Sequence, residues 1–148
     1  MPGYASRRSM ADPFQLQRFV EAQGAVFDTV RAELSRGRKQ SHWMWFIFPQ
    51  ARGLGHSPMA RRYAIGSLAE ARAYLAHEIL GSRLRQCVAL VNAVEDRPIA
   101  GILGEVDAIK FRSCLTLFAR ASKGEAVFVD ALEKYFGGEE DPATIERL

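Results

Sequence analysis

The segment from Ser41 to Gln50 carries the residue types in this chain that are best suited to binding or catalysis. It reads Ser-His-Trp-Met-Trp-Phe-Ile-Phe-Pro-Gln and contains both tryptophans of the protein. The imidazole of His42 is suited to act as a general base or to bind a ligand oxygen. The rings of Trp43 and Trp45 are suited to stack on a planar ligand. The structural alternatives are a histidine that hydrogen-bonds a carbonyl and tryptophans that pack in the core.

A second group of polar residues lies further along the chain. Asp107, Lys110, Ser113 and Thr116 are spaced by three residues, which places them on one side of a helix. If that side meets the His42 end of the aromatic segment, the two form a polar pocket over an aromatic floor. We therefore predict that a small anionic or nucleotide-like ligand contacts the following residues: His42, Trp43, Trp45, Gln50, Arg62, Lys110 and Ser113.

Arginines form a further candidate site around Ser57-Pro58, where a helix is predicted to start. Arg52, Arg61 and Arg62 flank this start and could bind an anion together with the helix dipole. The nearby Gly53-Leu54-Gly55 does not make a P-loop, because the required lysine and the preceding strand are missing from the sequence. The alternative is a solvated surface loop.

Whether the protein is an enzyme stays open at this level. A hydrolase would use His42 with Asp107 or Glu70 as acid or base. An interaction module would instead expose Trp45, Phe46 and Phe48 to a partner. No metal or cofactor is predicted, because the three histidines share no ligand spacing and neither cysteine has a nearby partner.

Helix signals dominate the elements that must position these residues. An N-cap residue followed by proline at the first helical position recurs three times, at Asp12-Pro13, Ser57-Pro58 and Asp141-Pro142. Ser67 and Glu70 have the spacing of a capping box. We predict that the aromatic segment is a short buried helix ending at Phe48, because the chain offers no partner for a strand.

Several helix boundaries follow from glycines and caps. The first helix is predicted to start at Asp12-Pro13, to be interrupted at Gly24 and to stop at Gly37. Gly81-Ser82 is predicted to end one helix and cap the next, and Asp107 to cap the penultimate helix. We expect an all-α fold: a single domain of about seven irregularly packed helices over residues 12–148, with no significant sheet and a flexible tail over residues 1–11.

Composition bounds the class of protein. Apolar residues make up 48% of the 148 residues and charged residues 25%, as in globular domains. The net charge of +3 falls close to neutrality without Arg7 and Arg8, which argues against a nucleic-acid surface. Two cysteines in apolar patterns and the lack of a long apolar run indicate a cytoplasmic protein without a membrane span. Residues 1–9 read as an extension, and the sequence does not indicate an oligomeric state.

A set of ordered segments resembles a bacterial family known as domain of unknown function 1810. These segments are Ser41 to Gln50, Gly53-Leu54-Gly55, Arg62 to Ile65, Glu70-Ala71-x-x-Tyr74-Leu75, Leu80-Gly81-x-Arg83-Leu84, Asp107-x-x-Lys110 and Thr116-Leu117-Phe118. The resemblance extends from Asp12 to Leu148 and implies a small, mainly helical domain without an established activity. Some members carry a calpastatin label, but such inhibitors are extended and disordered, unlike the packed domain expected here.

Overall fold

In the computed structural model, which describes residues 12–148, the chain forms helices and no sheet. The helices are α1 (Gln17–Gly24), α2 (Phe27–Ser35), α3 (Met44–Ile47), α4 (Pro58–Arg62), α5 (Leu68–Ala76), α6 (Glu78–Asn92), α7 (Ile99–Leu103), α8 (Glu105–Ala121), α9 (Ala126–Phe136) and α10 (Pro142–Ile145). The prediction of an all-α fold is confirmed, with ten helices in this part of the chain instead of about seven. The predicted tail, residues 1–11, lies outside the described residues.

The first predicted helix starts later than its cap suggested. The Asp12 carboxylate accepts hydrogen bonds from the Leu16 N–H at 2.7 Å and the Gln17 N–H at 3.0 Å. A turn therefore separates the cap from α1, and Gln15 adopts a positive φ of 55° within it. The expected start at Pro13 was wrong by four residues, because the carboxylate closes this turn and α1 begins at Gln17.

The two glycines in this region, Gly24 and Gly37, end helices as predicted. The helix is interrupted after Gly24, so that the single predicted helix is divided into α1 and α2. The predicted stop at Gly37 is confirmed. Gly37 has a left-handed φ of 71°, and the N–H of Arg38 donates to the carbonyl of Glu33 at 3.0 Å.

The aromatic segment is a buried helix, as predicted. Its single turn, α3, is preceded by Trp43 and followed by Phe48, and each of these two rings is 1% exposed. The ring of Phe48 packs edge-on against Phe111 of α8, with ring centroids 4.8 Å apart. The segment therefore belongs to the same hydrophobic core as the long central helix.

Helix α8 is the centre of the packing. It contacts α5, α7, α9 and α10, and ten of its seventeen residues are buried. Gly104, with a φ of 92°, precedes it, so the expected cap at Asp107 was wrong. Asp107 lies in the first turn, where its carboxylate pairs with lysines.

Gly81 was also misassigned from sequence, since it lies inside α6. The helix begins earlier because the Nδ1 atom of His77 accepts hydrogen bonds from the N–H groups of Ile79 and Leu80, each at 3.2 Å. A Cβ atom on Gly81 would lie 2.1 Å from the carbonyl oxygen of Leu75. The glycine is therefore needed where α5 turns closely into α6.

A short backbone pairing positions the loop around Arg52. The N–H of Arg52 donates to the carbonyl of Ile65 at 2.8 Å, and the N–H of Ile65 donates to Gln50 at 2.9 Å. This isolated parallel bridge, Ala51 to Ile65, holds together the two ends of the segment that contains α4. It brings the side chain of Arg52 beside Gly66.

Candidate functional site

The indole of Trp43 is held by a buried carboxylate. Glu33 is 2% exposed and accepts four hydrogen bonds, from the N–H groups of Gln40 and Ser41, the Ser41 hydroxyl and Trp43 Nε1. Burial alone would raise the pKa of Glu33, but these hydrogen bonds outweigh it and lower the pKa to about 2. Trp43 is thereby fixed as a core residue.

Lys39 joins Asp107 to the loop that leads into the aromatic segment. Lys39 Nζ lies 3.0 Å from Asp107 Oδ2 and donates to the carbonyl of Ser41 at 2.6 Å. Lys110 Nζ lies 3.8 Å from the other oxygen of Asp107, three residues earlier on the same helix. These charges pair with one another, which ties the loop before α3 to α8.

The hydrolase arrangement has no supporting geometry. His42 is exposed, and no hydrogen bond joins it to Asp107 or Glu70 within residues 12–148. Glu70 is 5% exposed, and both of its oxygens accept other hydrogen bonds, one from the Gly66 N–H and one from Arg18. The three candidate catalytic residues therefore have separate surroundings.

Three of the other residues predicted to contact the ligand line only a small cavity. Trp45, Gln50 and Lys110 lie around it together with Gly55 and Tyr63. Its volume is about 10 Å³, which is room for roughly one water molecule. The ligand-sized pocket expected over this segment is therefore not formed there.

The aromatic segment does not offer an exposed patch for a partner either. Phe46 is 7% exposed and Phe48 is 1% exposed, and Trp45 is half-buried. The two phenylalanines belong to the core, so the surface on which the interaction hypothesis depended is covered.

Ser113 lies at a different place, under the C-terminal segment. Its hydroxyl donates to Asp141 Oδ2 at 2.9 Å, and the residue is only 4% exposed. Burial would raise the pKa of Asp141, but hydrogen bonds from Thr144, Ser113 and the backbone lower it. The side of α8 that was predicted to line the ligand pocket is covered here by the C-terminal segment.

The seven predicted ligand residues are thus dispersed. His42 is on the surface, Trp43 is in the core, and Ser113 is under the C-terminal segment. Among the described residues, Arg62 is the one of these seven that lines the cavity of about 540 Å³, which we call the arginine cleft. The arginine cleft is lined by Pro13, Phe14, Gln15, Arg18, Arg52, Arg61, Arg62, Ala64 and Glu70.

The arginine cleft has a volume of about 540 Å³, within the range of small-molecule sites. Four guanidinium groups and a single carboxylate line it. Two segments supply the arginines: α1 carries Arg18, and the bridged segment carries Arg52 and the end of α4. The cleft is therefore strongly positive.

Arg18 builds the wall of the cleft. Its guanidinium donates to the carbonyls of Phe14, Gln15, Arg62 and Ala64 at 2.6 to 3.0 Å. A further bond, 2.9 Å long, goes to Glu70 Oε2. These five bonds use all five N–H donors of the group. Arg18 and Glu70 therefore serve the architecture of the cleft.

The three remaining arginines have donors to offer. The side chains of Arg52, Arg61 and Arg62 are exposed, and in residues 12–148 none of them makes a hydrogen bond or salt bridge. The Arg52 guanidinium lies against Gly66, where an added Cβ atom would be 2.9 Å from its Nη2. Guanidinium groups in such a concavity match the geometry of carboxylate and phosphate oxygens.

The sequence predicted these three arginines as an anion site and Glu70 as a candidate catalytic residue, but it did not indicate that Arg18, Glu70 and Phe14 line the same cleft. Arg18 is 52 residues from Glu70, and no local spacing connects them. The signal that did exist was the cluster of arginines on both sides of Ser57-Pro58.

Another cavity, of about 360 Å³, lies between the end of α8 and α9. Its wall includes Ala119, Val129 and Leu132. At its edge Arg120 forms a bidentate pair with Glu140 at 2.7 and 2.8 Å, so this arginine is already neutralised. Lys123 and Glu133 add one further charge of each sign, so this cavity has no excess of positive charge to offer an anion, unlike the arginine cleft.

Two further features concern metal ligands and membrane-spanning helices. Among the described residues, no group of three or more His, Cys, Asp and Glu side chains is arranged to hold a metal ion. None of the helices in residues 12–148 has both the length and the apolar character needed to cross a membrane.

Comparison with known proteins gives a family and a structural relative. Residues 13–148 match the family described as "Protein of unknown function (DUF1810)". The crystal structure of a conserved hypothetical protein from Mycobacterium tuberculosis is similar, with 55% sequence identity and a TM-score of 0.91. That match covers 93% of this chain and 98% of the mycobacterial chain. No curated protein matches the sequence significantly.

Proposed function

The chain belongs to the DUF1810 family of proteins of unknown function, and from that premise we propose that it is a binding module for a small anionic ligand. The ligand would lie in the arginine cleft, on the guanidinium groups of Arg52, Arg61 and Arg62. This keeps the class of ligand expected from sequence and moves the site away from the aromatic segment.

The observation that carries the proposal is the contrast among the four arginines of the cleft. All five N–H donors of Arg18 form hydrogen bonds within the protein. By contrast, no acceptor within residues 12–148 binds the side-chain donors of the other three arginines. Uncompensated charges of one sign repel one another, and an anion relieves that repulsion. Residues 1–11 contain two arginines and no acidic residue, so they add no compensating charge.

Titration with inorganic pyrophosphate tests the proposal. Saturable heat in calorimetry is expected, together with amide chemical-shift changes confined to residues 14–18 and 52–66. Binding should weaken as the salt concentration rises, because the contacts are partly exposed. The double variant R61Q/R62Q should weaken binding at least about tenfold.

A matched control removes two charges elsewhere. Arg36 and Arg38 follow α2, are exposed, and have no side-chain hydrogen bond or salt bridge in the described part of the chain. R36Q/R38Q changes the net charge by the same amount as R61Q/R62Q but alters no residue that lines the arginine cleft. It should therefore leave the affinity within about twofold. Equal weakening by the two double variants would show non-specific attraction and contradict the proposal, as would the absence of saturable binding.

A further inference from the structure

A cavity other than the one between α8 and α9 adjoins the arginine cleft. Its volume is about 360 Å³. It is lined by Asp12, Pro13, Phe14, Leu16, Gln17, Ala73, Ala76 and His77. Pro13 and Phe14 border both cavities, so the two are neighbouring parts of the same surface. We call the second one the apolar cavity.

One helix connects the two cavities. Glu70 borders the arginine cleft, while Ala73 and His77 border the apolar cavity. Residues 70, 73 and 77 are spaced by three and four, so they lie on one side of α5 and its C-terminal cap. A groove therefore runs between α5 and the segment of residues 12–18, with the arginines at one end.

The two ends of this groove differ in chemistry. At one end the arginines offer guanidinium donors, and at the other Leu16, Ala73 and Ala76 offer apolar surface. The half-buried ring of Phe14 stands between them. An aromatic ring next to small aliphatic side chains suits a flat heterocycle, which stacks on the ring face.

The apolar cavity also has a hydrogen-bond donor and an acceptor. Because Nδ1 of His77 accepts two backbone hydrogen bonds, the neutral ring carries its proton on Nε2. The Asp12 oxygens accept one bond each from backbone N–H groups, which leaves them further lone pairs. A heterocycle edge with its own donor and acceptor would find partners for both.

We propose that the anion bound in the arginine cleft is a nucleotide, with its phosphates on Arg52, Arg61 and Arg62 and its base in the apolar cavity against Phe14. This inference rests on the proposed function, because the phosphates must first bind the arginines. It adds the class of ligand and a second set of contacts.

Calorimetry with three probes tests it: inorganic pyrophosphate, ribose 5-phosphate and a nucleoside diphosphate, with each of the four common bases in turn. At least one nucleoside diphosphate is expected to bind at least about tenfold more tightly than pyrophosphate. Ribose 5-phosphate should show no such gain, since it lacks the base.

Variants of the apolar cavity give the sharper test. Ala76 is exposed at the end of α5, so A76L should fold and fill the cavity. It should weaken nucleotide binding at least about tenfold and leave pyrophosphate binding within about twofold. F14L should act in the same direction by removing the stacking surface. A89L, on an exposed position of α6 outside both cavities, is the matched control and should change neither affinity.

His77 allows its two roles to be separated. H77N keeps an oxygen able to cap α6, because asparagine is a good N-cap residue, but it removes the Nε2 donor. Thermal stability should be retained and nucleotide binding weakened a few-fold, with pyrophosphate unaffected.

The outcomes distinguish this inference from the proposed function. If pyrophosphate and every nucleoside diphosphate bind equally and A76L changes neither, the inference is overturned and the anion site stands. If none of the probes binds saturably, both are overturned. If nucleotides bind but R61Q/R62Q has no effect, the phosphates do not lie on the arginines and both are likewise contradicted.

Discussion

Glu33 and Trp43 form a buried hydrogen bond, 3.0 Å long, between a carboxylate oxygen and an indole N–H. The same carboxylate accepts the N–H groups of Gln40 and Ser41. A single side chain of α2 therefore organises the turn that leads into α3. It satisfies the one polar atom of the large Trp43 side chain, which otherwise lies in the apolar core.

The Glu33 carboxylate should make stability depend on pH. Its pKa falls from an ordinary value of 4.5 to about 2 on folding, so the unfolded chain binds this proton more tightly. The stabilisation is present above about pH 4.5 and is lost as the pH falls through about 2. It amounts to at most about 3 kcal/mol. Denaturant unfolding of the wild type and E33Q measures it, and their difference should shrink between about pH 6 and about pH 3.

E21Q supplies the control for this measurement, since Glu21 is exposed on α1. Its unfolding free energy should follow that of the wild type at every pH. A constant difference between the wild type and E33Q across the acid range would show that Glu33 does not titrate as proposed.

Arg18 and Glu70 should behave as a structural pair. R18A leaves a nearly buried carboxylate and several carbonyl groups without their donor, so we expect a loss of about 3–5 kcal/mol in unfolding free energy. R61A should lose less than about 0.5 kcal/mol, because its side chain is exposed. Adding E70Q to R18A should recover part of the loss. A purely additive double variant would argue that the two groups do not interact.

Gly81 should tolerate no side chain. G81A places a Cβ atom 2.1 Å from the Leu75 carbonyl oxygen, so α5 and α6 must move apart, at a cost of about 1–3 kcal/mol or more. Gly24 is the internal control, since an added Cβ there meets no atom within 4 Å. G24A should raise the melting temperature slightly, because it lowers the entropy of the unfolded chain. Equal melting temperatures for the two variants would contradict the close approach of the helices.

Ser113 should secure the C-terminal segment and take no part in ligand binding. S113A removes a hydrogen bond to the Asp141 carboxylate and should lower the unfolding free energy by about 1–3 kcal/mol. Limited proteolysis should cut after residue 138 faster than in S82A, a control on the exposed surface of α6. Pyrophosphate affinity should stay unchanged. A selective loss of affinity with normal proteolysis would instead make Ser113 a ligand residue, as the sequence first suggested.

Local signals in the sequence determined most of the helices. Ser57 and Asp141 cap helices because each side chain reaches a backbone N–H three residues ahead. Gly137 ends α9 because it adopts a left-handed φ of 62°. The burial of Trp43 and Phe48 could be predicted because their apolar run is too short to span a membrane and therefore packs in the core. The caps and the helix end depend on atoms within a few residues of one another.

Only the tertiary structure decided which polar groups are occupied. Arg18 and Arg62 are the same residue type, but Arg18 meets Glu70 and four carbonyl groups whereas Arg62 stays exposed at the edge of the arginine cleft. Ser113 became buried because a segment 28 residues away packs on it. Gly81 looked like a helix end, but the approach of the Leu75 carbonyl required it inside a helix. Caps and periodicity depend on residues within one or two helical turns. The pairing of charges depends on how helices distant in sequence pack together, and the spacing of residues along the chain does not reveal that packing.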